Sequence, residues 1–127
     1  MSENSDHTPK LIVIASNVSL FICGICILTQ IYIHRYVVPK FHDMFFSMEY
    51  MDLPGITKII MNYSLLFQTL FTVILILMIL KESYIKDKAL CSIINLGYLI
   101  IFFVHIGLVT MAIFGPIMAM QKAAMGD

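Results

Sequence analysis

The sequence predicts an all-α membrane protein with three transmembrane helices and an amphipathic extramembrane cap between the first two. Of its 127 residues, 60% are hydrophobic and only 13% are charged, whereas a soluble domain carries about a quarter charged residues. Three runs contain no Asp, Glu, Lys or Arg: residues 11–33, 65–80 and 91–121. Each run is near or above the ~17 to 25 apolar residues that cross a bilayer as a helix. Residues 1–127 are therefore expected to form one integral membrane domain.

The first span is predicted over residues 11–36. Small or polar residues such as Ser16 and Cys23 interrupt it, which indicates that one face packs against protein. At its end, His34 and Arg35 lie between two tyrosines, and amphipathic and basic residues of this kind anchor a helix at the membrane interface.

The cap is predicted over residues 37–62. Pro39 is expected to break the first helix and to turn the chain out of the membrane. Apolar residues at i, i+3, i+4 and i+7 then predict a short amphipathic helix: Phe41, Met44, Phe45 and Met48. Asp52 at an N-cap position and Pro54 in a first turn predict that a new helix begins there and runs to Lys81. The second span, residues 63–81, belongs to that helix.

A short charged turn over residues 81–88 returns the chain to a third span, residues 90–117. Basic residues divide equally between the two sides of the membrane: Lys10, Lys81, Lys86 and Lys88 against Arg35, Lys40, Lys58 and Lys122. The dense cluster in the second turn favours a cytoplasmic N-terminus, with the cap on the outer side.

His105 is the one histidine deep in a predicted span, and an intramembrane ionisable residue is a functional hypothesis by default. Counting from the predicted helix ends at ~1.5 Å per residue places His105 about 10 Å deeper than His34, which excludes these two as haem ligands. We expect a neutral His105 that is hydrogen-bonded to Asn17, Ser16 or Thr72. The small and polar residues of the first and third spans are candidates for helix packing: Asn17, Gly24, Asn95, Gly97, His105 and Gly107.

Other chemistry has little support in the sequence. The pair Cys23 and Cys26 forms a C-x-x-C, but it lies in an apolar span, where we expect it to serve as packing. The net charge is zero and no basic cluster is present, which argues against binding nucleic acid. We find no pattern for a catalytic nucleophile, a metal cluster or a nucleotide, so we expect no enzyme activity, no cofactor and no small-molecule substrate.

The cap resembles a known membrane segment. A span ending in V-V-P-K-F, an acidic amphipathic turn, L-P-x-x-T-K and an Ile/Leu-rich helix with a Ser are similar to the first membrane crossing of the inner-membrane platform proteins of type II secretion and type IV pilus systems. The similarity covers about residues 25–80, and the matching positions are Val38, Pro39, Lys40, Phe41, Met44, Phe45, Leu53, Pro54, Thr57, Lys58 and Ser64. In that family the segment faces the periplasm. The family's cytoplasmic domains have no counterpart here, so the resemblance does not imply coupling to an assembly ATPase.

The resulting prediction is a small, non-enzymatic scaffold or assembly component of the bacterial inner membrane. Its expected partners are the lipid bilayer and other membrane proteins, or a second copy of itself. Two alternatives stay open. One is the membrane-anchor subunit of a redox enzyme, which would depend on His105, and the other is a small pore or transport component.

Overall fold

The computed structural model describes residues 7–47 and 53–126, and all regular secondary structure in these two ranges is helical. In chain order, the elements are α1 (His7–Tyr32), a π-helical turn (Ile33–Val37), α2 (Val38–Phe46), α3 (Gly55–Asn62), α4 (Ser64–Tyr84) and α5 (Lys88–Met125). Three helical stretches are long and apolar enough to cross a membrane: Lys10–Phe46, Ser64–Tyr84 and Lys88–Met125. The predicted fold class is confirmed.

The first helix does not end at Pro39. The helix α1, the π-helical turn and α2 follow one another without a gap, so the apolar helix continues to Phe46. Pro39 lies in the first turn of α2, directly after the π-helical turn. That wider turn shifts the backbone hydrogen bonds by one residue, and a proline without an N–H is accommodated there. The predicted change of direction at Pro39 is therefore wrong, and the predicted amphipathic segment begins as a continuation of the first helix.

The second predicted helix is divided at Tyr63. This residue has φ −103° and ψ 17°, outside the helical region, and it separates α3 from α4. The two pieces pack on different partners, since α3 lies against α5 whereas α4 lies against α1. The predicted N-cap Asp52 and the apolar residue Met48 lie outside the described residues.

Asp87 begins the third long helix. Its carboxylate accepts hydrogen bonds from the backbone N–H groups of Ala89 (2.9 Å) and Leu90 (3.3 Å), as an N-cap residue does. The helix α5 runs 38 residues to Met125 and ends at Gly126, whose φ of 77° is left-handed. It is longer than the predicted span, and its C-terminal part extends alongside α3.

The buried apolar residues form two clusters. The first lies between α1 and α4 and contains Cys23, Ile27, Phe71 and Met78. The second joins α2, α3 and the C-terminal half of α5, and contains Val38, Phe45, Ile60, Met61, Val109, Ala112 and Ile113. Large apolar side chains on the outer faces are exposed, for example Leu65 (70%) and Phe103 (65%). Exposed apolar surface on this scale fits a chain that is surrounded by lipid, and the structure indicates a multi-pass membrane protein.

Candidate functional site

Thr57 makes a hydrogen bond that Pro116 makes necessary. In an α-helix, the carbonyl of Ala112 accepts from the N–H four residues later, but residue 116 is a proline and has no N–H. The fully buried Thr57 Oγ1 donates to this carbonyl at 2.9 Å. An unpaired backbone carbonyl is costly where water is absent, and Ser or Thr side chains are a known remedy in membrane helices. Thr57 therefore provides a hydrogen-bond donor for the open carbonyl of α5, and the same bond attaches α3 to α5.

Ser64 makes the equivalent hydrogen bond in the first helix, where Pro39 leaves a backbone carbonyl without its donor. The N–H of Val38 bonds to the carbonyl of Ile33, which is the five-residue spacing of a π-helix. In that register the N–H of residue 39 is the partner of the His34 carbonyl, and a proline there cannot donate. Ser64 Oγ donates to the His34 carbonyl at 2.7 Å. We call the Thr57–Ala112 and Ser64–His34 hydrogen bonds the hydroxyl bonds.

The hydroxyl bonds fix the segment that joins the first two spans. Thr57 lies in α3 and Ser64 begins α4, and each reaches a different long helix across 55 and 30 residues of sequence. Val38 and Phe45 of α2 are buried in the same region. The predicted cap is thus a packed part of the bundle that holds α3 at the proline of α5.

His34 and His105 meet in the interior, beside the Ser64 hydroxyl. Their Nε2 atoms are 2.9 Å apart, and His34 Nδ1 lies 3.4 Å from Ser64 Oγ. Because the Ser64 hydroxyl donates to the His34 carbonyl, its oxygen accepts from His34 Nδ1–H. For neutral imidazoles, His34 Nε2 is then the acceptor and His105 Nε2–H the donor. The network joins all three long helices.

Two phenylalanine rings enclose the histidine pair. The centroid of Phe67 is 5.2 Å from both imidazole centroids, and that of Phe71 is 6.0 Å from His34 and 5.0 Å from His105. The space around the two Nε2 atoms, which a haem ligated by both histidines would need, is bordered by the Phe67 and Phe71 rings. Iron would also require the nitrogens to separate from 2.9 Å to about 4 Å, given metal–imidazole distances of about 2 Å.

The predicted depth of His105 relative to His34 is wrong. Counting from the predicted helix ends separated the two by about 10 Å, whereas their Nε2 atoms are 2.9 Å apart and the residues lie at one level. The partner of His105 is His34, and not the predicted Asn17, Ser16 or Thr72. A usable signal was present, since Cys23, Ile27, Gln30, His34 and Val38 recur at three- and four-residue spacing and all five are buried.

A second polar group lies at the opposite end of the bundle, beside the turn between α4 and α5. The Asn95 side chain donates through Nδ2 to Ser19 Oγ at 2.9 Å and accepts from Lys81 Nζ through Oδ1. Lys81 also donates to the Cys91 carbonyl at 3.3 Å, and Glu82 pairs with Lys88 at 2.8 Å. We call Ser19, Lys81 and Asn95 the turn-end cluster.

Gln30 is a buried polar side chain of a different kind. It is 0% exposed, and neither its amide nitrogen nor its amide oxygen has a hydrogen-bond partner among the described residues. It lies one helical turn before His34 on the same face of α1. The hydroxyl of Ser16 is also buried without a partner in that part of the chain. Among the described side chains of the first helix, these are the two whose buried polar groups lack a hydrogen-bond partner.

The predicted packing residues divide into two sets. Asn95 is fully buried against α1, and His105 is half-buried in the histidine pair, whereas Gly24 is partly exposed. Asn17, Gly97 and Gly107 are exposed on the outside of the bundle. A Cβ placed on any of the three glycines would meet no heavy atom within 4 Å. The exposed residues therefore take no part in packing within one chain, and their role in association stays a prediction.

The residues that match the platform-protein pattern fall into a buried set and an exposed set. Val38, Phe45, Thr57 and Ser64 are buried, while Phe41 and Leu53 are half-buried. The remainder, Pro39, Lys40, Met44, Pro54 and Lys58, are exposed. Cys23 is buried, and its thiol donates to the Asn95 carbonyl at 3.3 Å, which agrees with a packing role for the C-x-x-C pair.

Within residues 7–47 and 53–126, no group of three or more His, Cys, Asp or Glu side chains is placed to hold a metal ion. Comparison of the chain with protein-family models, with curated proteins and with solved structures finds no match. We therefore infer a function from the geometry of the helices.

Proposed function

We propose that this multi-pass membrane protein is a non-enzymatic scaffold or assembly component of the bacterial inner membrane, related to the secretion and pilus platform proteins. The observation that carries the proposal is the pair of hydroxyl bonds. Pro39, Thr57 and Ser64 are the polar and helix-breaking positions of the platform-like pattern, and two of them donate to backbone carbonyls that prolines leave open. The pattern thus has a physical role in building a rigid helical hairpin.

A rigid hairpin is a suitable element for a scaffold because it holds outer surfaces at fixed positions. In this chain those surfaces carry Asn17 on α1 and Gly97 and Gly107 on α5, all exposed. Small residues allow neighbouring membrane helices to approach closely, and an amide gains a partner there. We infer that this outer face binds another membrane protein or a second copy, with the N-terminus cytoplasmic and the 37–62 segment periplasmic.

The test of the scaffold is affinity purification of the tagged protein from native membranes in mild detergent, with mass spectrometry of the proteins that accompany it. Secretion or pilus components, recovered in proportion to the tagged protein, support the platform relationship. Recovery of soluble dehydrogenase subunits together with a visible absorption band would contradict it.

Gly107→Leu tests the association face directly. Leucine places a bulky side chain where neighbouring helices would meet, so helix association in a detergent cross-linking or reporter assay should fall about tenfold or more, as expected for a loss of 1.4 kcal/mol. Leu108→Ile is the matched control, since it alters an exposed neighbour without adding bulk. Equal association of Gly107→Leu and the control would remove this face from the proposal.

One observation favours the second candidate, a redox-enzyme anchor: the two imidazoles face each other across two helices at 2.9 Å. This candidate requires Phe67 and Phe71 to move away from the space that a porphyrin needs. An absorption spectrum of the purified protein tests it, with His105→Ala beside the wild type. A haem band in the wild type that His105→Ala abolishes would support the anchor over the scaffold, and a colourless wild type would reject it.

A further inference from the structure

A cavity of about 620 Å³ opens between the first helix and the start of α4. Its polar lining residues are His34, Arg35, His42, Asn62, Ser64 and Gln68. This volume is in the range of small-molecule sites. His34 borders the cavity and also faces His105, whereas Phe67 and Phe71 do not line it. Asn17, Gly97 and Gly107 do not line it either, so the cavity is not part of the proposed association face.

The position of the cavity across the membrane follows from the number of residues between Lys81 and Ser64 in α4. Lys81 marks one membrane surface, and Ser64 lies 17 residues earlier in the same helix, or about 26 Å away at ~1.5 Å per residue. The hydrocarbon core of a bilayer is about 30 Å thick. Ser64 and Arg35 therefore lie near the opposite boundary, and the cavity faces the layer where lipid headgroups meet the acyl chains.

The charge of the cavity is positive. Arg35 is exposed in the lining and forms no ion pair with residues 7–47 or 53–126. Among residues 7–47 and 53–126, the carboxylate close by is Asp43, 3.5 Å from His42 Nδ1; its side chain is 85% exposed, and it does not line the cavity. A guanidinium that no carboxylate of these residues pairs, at the edge of an apolar medium, favours an anion. Its fork of N–H donors matches the oxygens of a phosphate.

Neutral donors complete the wall. The amides of Asn62 and Gln68 border the same space as Arg35, and each supplies two N–H groups. Leu65 and Met61 line the cavity as well, so an apolar tail leaving the headgroup would meet apolar side chains. Basic pockets between membrane helices bind lipid phosphates by this combination of charge and depth.

We propose that this cavity binds the phosphate headgroup of an anionic phospholipid, with Arg35 as the principal contact. The group recognised is a phosphate anion, which either a phospholipid headgroup or free inorganic phosphate could supply. The lipid is favoured because the cavity lies at the bilayer boundary and is continuous with the lipid-facing surface of α4. This site does not depend on the scaffold proposal.

The experiment is thermal unfolding of the full chain in dodecyl maltoside. Three additives are titrated separately: short-chain phosphatidylglycerol, phosphatidylcholine with the same chains, and inorganic phosphate. Phosphatidylglycerol should raise the Tm saturably, and phosphatidylcholine should raise it less. Arg35→Gln should raise the half-saturating concentration of phosphatidylglycerol about tenfold, the loss expected for one charge-assisted hydrogen bond.

Lys40→Gln is the matched control, because Lys40 is an exposed cation five residues later in the same helix and does not line the cavity. It should keep the wild-type response. Equal weakening in Arg35→Gln and Lys40→Gln, or equal stabilisation by the two lipids, would overturn the site. Stabilisation by inorganic phosphate that matches phosphatidylglycerol would overturn the lipid as the ligand.

Arg35→Lys guards against a folding defect in Arg35→Gln. Lysine keeps the positive charge but lacks the paired N–H donors of the guanidinium. The half-saturating concentration of phosphatidylglycerol should therefore lie between those of the wild type and Arg35→Gln. A wild-type response in Arg35→Lys, with Arg35→Gln unfolded, would contradict phosphate recognition by the fork.

Discussion

The two ends of the helical bundle bury polar side chains for different purposes. At the hairpin end, Thr57 and Ser64 donate to backbone carbonyls that Pro116 and Pro39 leave open. At the turn end, Asn95 connects Ser19 of α1 to the ammonium of Lys81 of α4. The hairpin end uses neutral groups to repair the backbone, whereas the turn end uses an amide to hold a charge beside the membrane surface.

The difference shows how a substitution should affect each end. Removing a hydroxyl at the hairpin end leaves neutral groups unpaired: the Ala112 carbonyl for Thr57, and the His34 carbonyl and Nδ1–H for Ser64. The cost of an open carbonyl disappears if the helix regains its own N–H. At the turn end, an apolar residue at position 95 removes two hydrogen bonds at once, one to the Ser19 hydroxyl and one from the Lys81 ammonium. Ser19 keeps its bond to the Ser16 carbonyl, and Lys81 keeps the Cys91 carbonyl and Glu82. We therefore expect the turn end to be the more sensitive of the two.

Asn95→Leu should give the largest effect. It removes the hydrogen bonds to Ser19 and Lys81 together, and we expect the free energy of unfolding in mixed detergent micelles to fall by about 2 kcal/mol. Asn17→Leu is the control, because Asn17 is exposed and should change stability by less than about 0.5 kcal/mol. Similar losses in the two variants would mean that the turn-end cluster adds nothing beyond the helix itself.

Thr57→Val should cost about 1.5 kcal/mol, near the upper end for a hydrogen bond between membrane helices. In a Pro116→Ala background the cost should shrink, because the substituted alanine supplies the N–H that the Ala112 carbonyl lacks. The double-mutant cycle isolates this coupling. Thr110→Val serves as control, since Thr110 donates to Ile106 in its own helix. An undiminished cost in the Pro116→Ala background would contradict the role assigned to Thr57.

Gln30→Leu should stabilise the protein, in contrast to the two substitutions above. Its amide is buried without a partner among the described residues, so an apolar residue of similar size should raise the free energy of unfolding by about 1 kcal/mol. Gln68→Leu, at a half-buried position, should be nearly neutral. A loss of stability in Gln30→Leu would show that its amide has a partner beyond the described residues, for example a water molecule or another protein.

Ser64→Ala should give the smallest effect, about 0.6 kcal/mol, the average for hydrogen bonds between membrane helices. Ser64 lines the open cavity, where water can reach the His34 carbonyl and replace the hydroxyl. Ser47→Ala is the control, since Ser47 donates within its own helix. A cost for Ser64→Ala that exceeds the cost for Thr57→Val would show that the cavity is dry, and it would reverse the ranking of the two hydroxyl bonds.

The sequence by itself determined the fold class and the three spans. Lipid offers the backbone no hydrogen bonds, so a long run without charges can cross a membrane only as a helix or within a closed barrel. The lengths of the runs then set the number of helices. The N-cap at Asp87 was not predicted, although aspartate is a residue type that favours this position.

Only the tertiary structure decided which polar residues meet. Thr57 and Ala112 are 55 positions apart, and His34 and His105 are 71 apart. The helices α4 and α5 are apolar on all sides, so their periodicity does not reveal which of their faces meets the buried stripe of the first helix. The error at Pro39 has the same origin, since a proline breaks a helix unless a neighbour satisfies the carbonyl that it leaves open. That neighbour, Ser64, lies on another helix, and its position depends on how the helices pack.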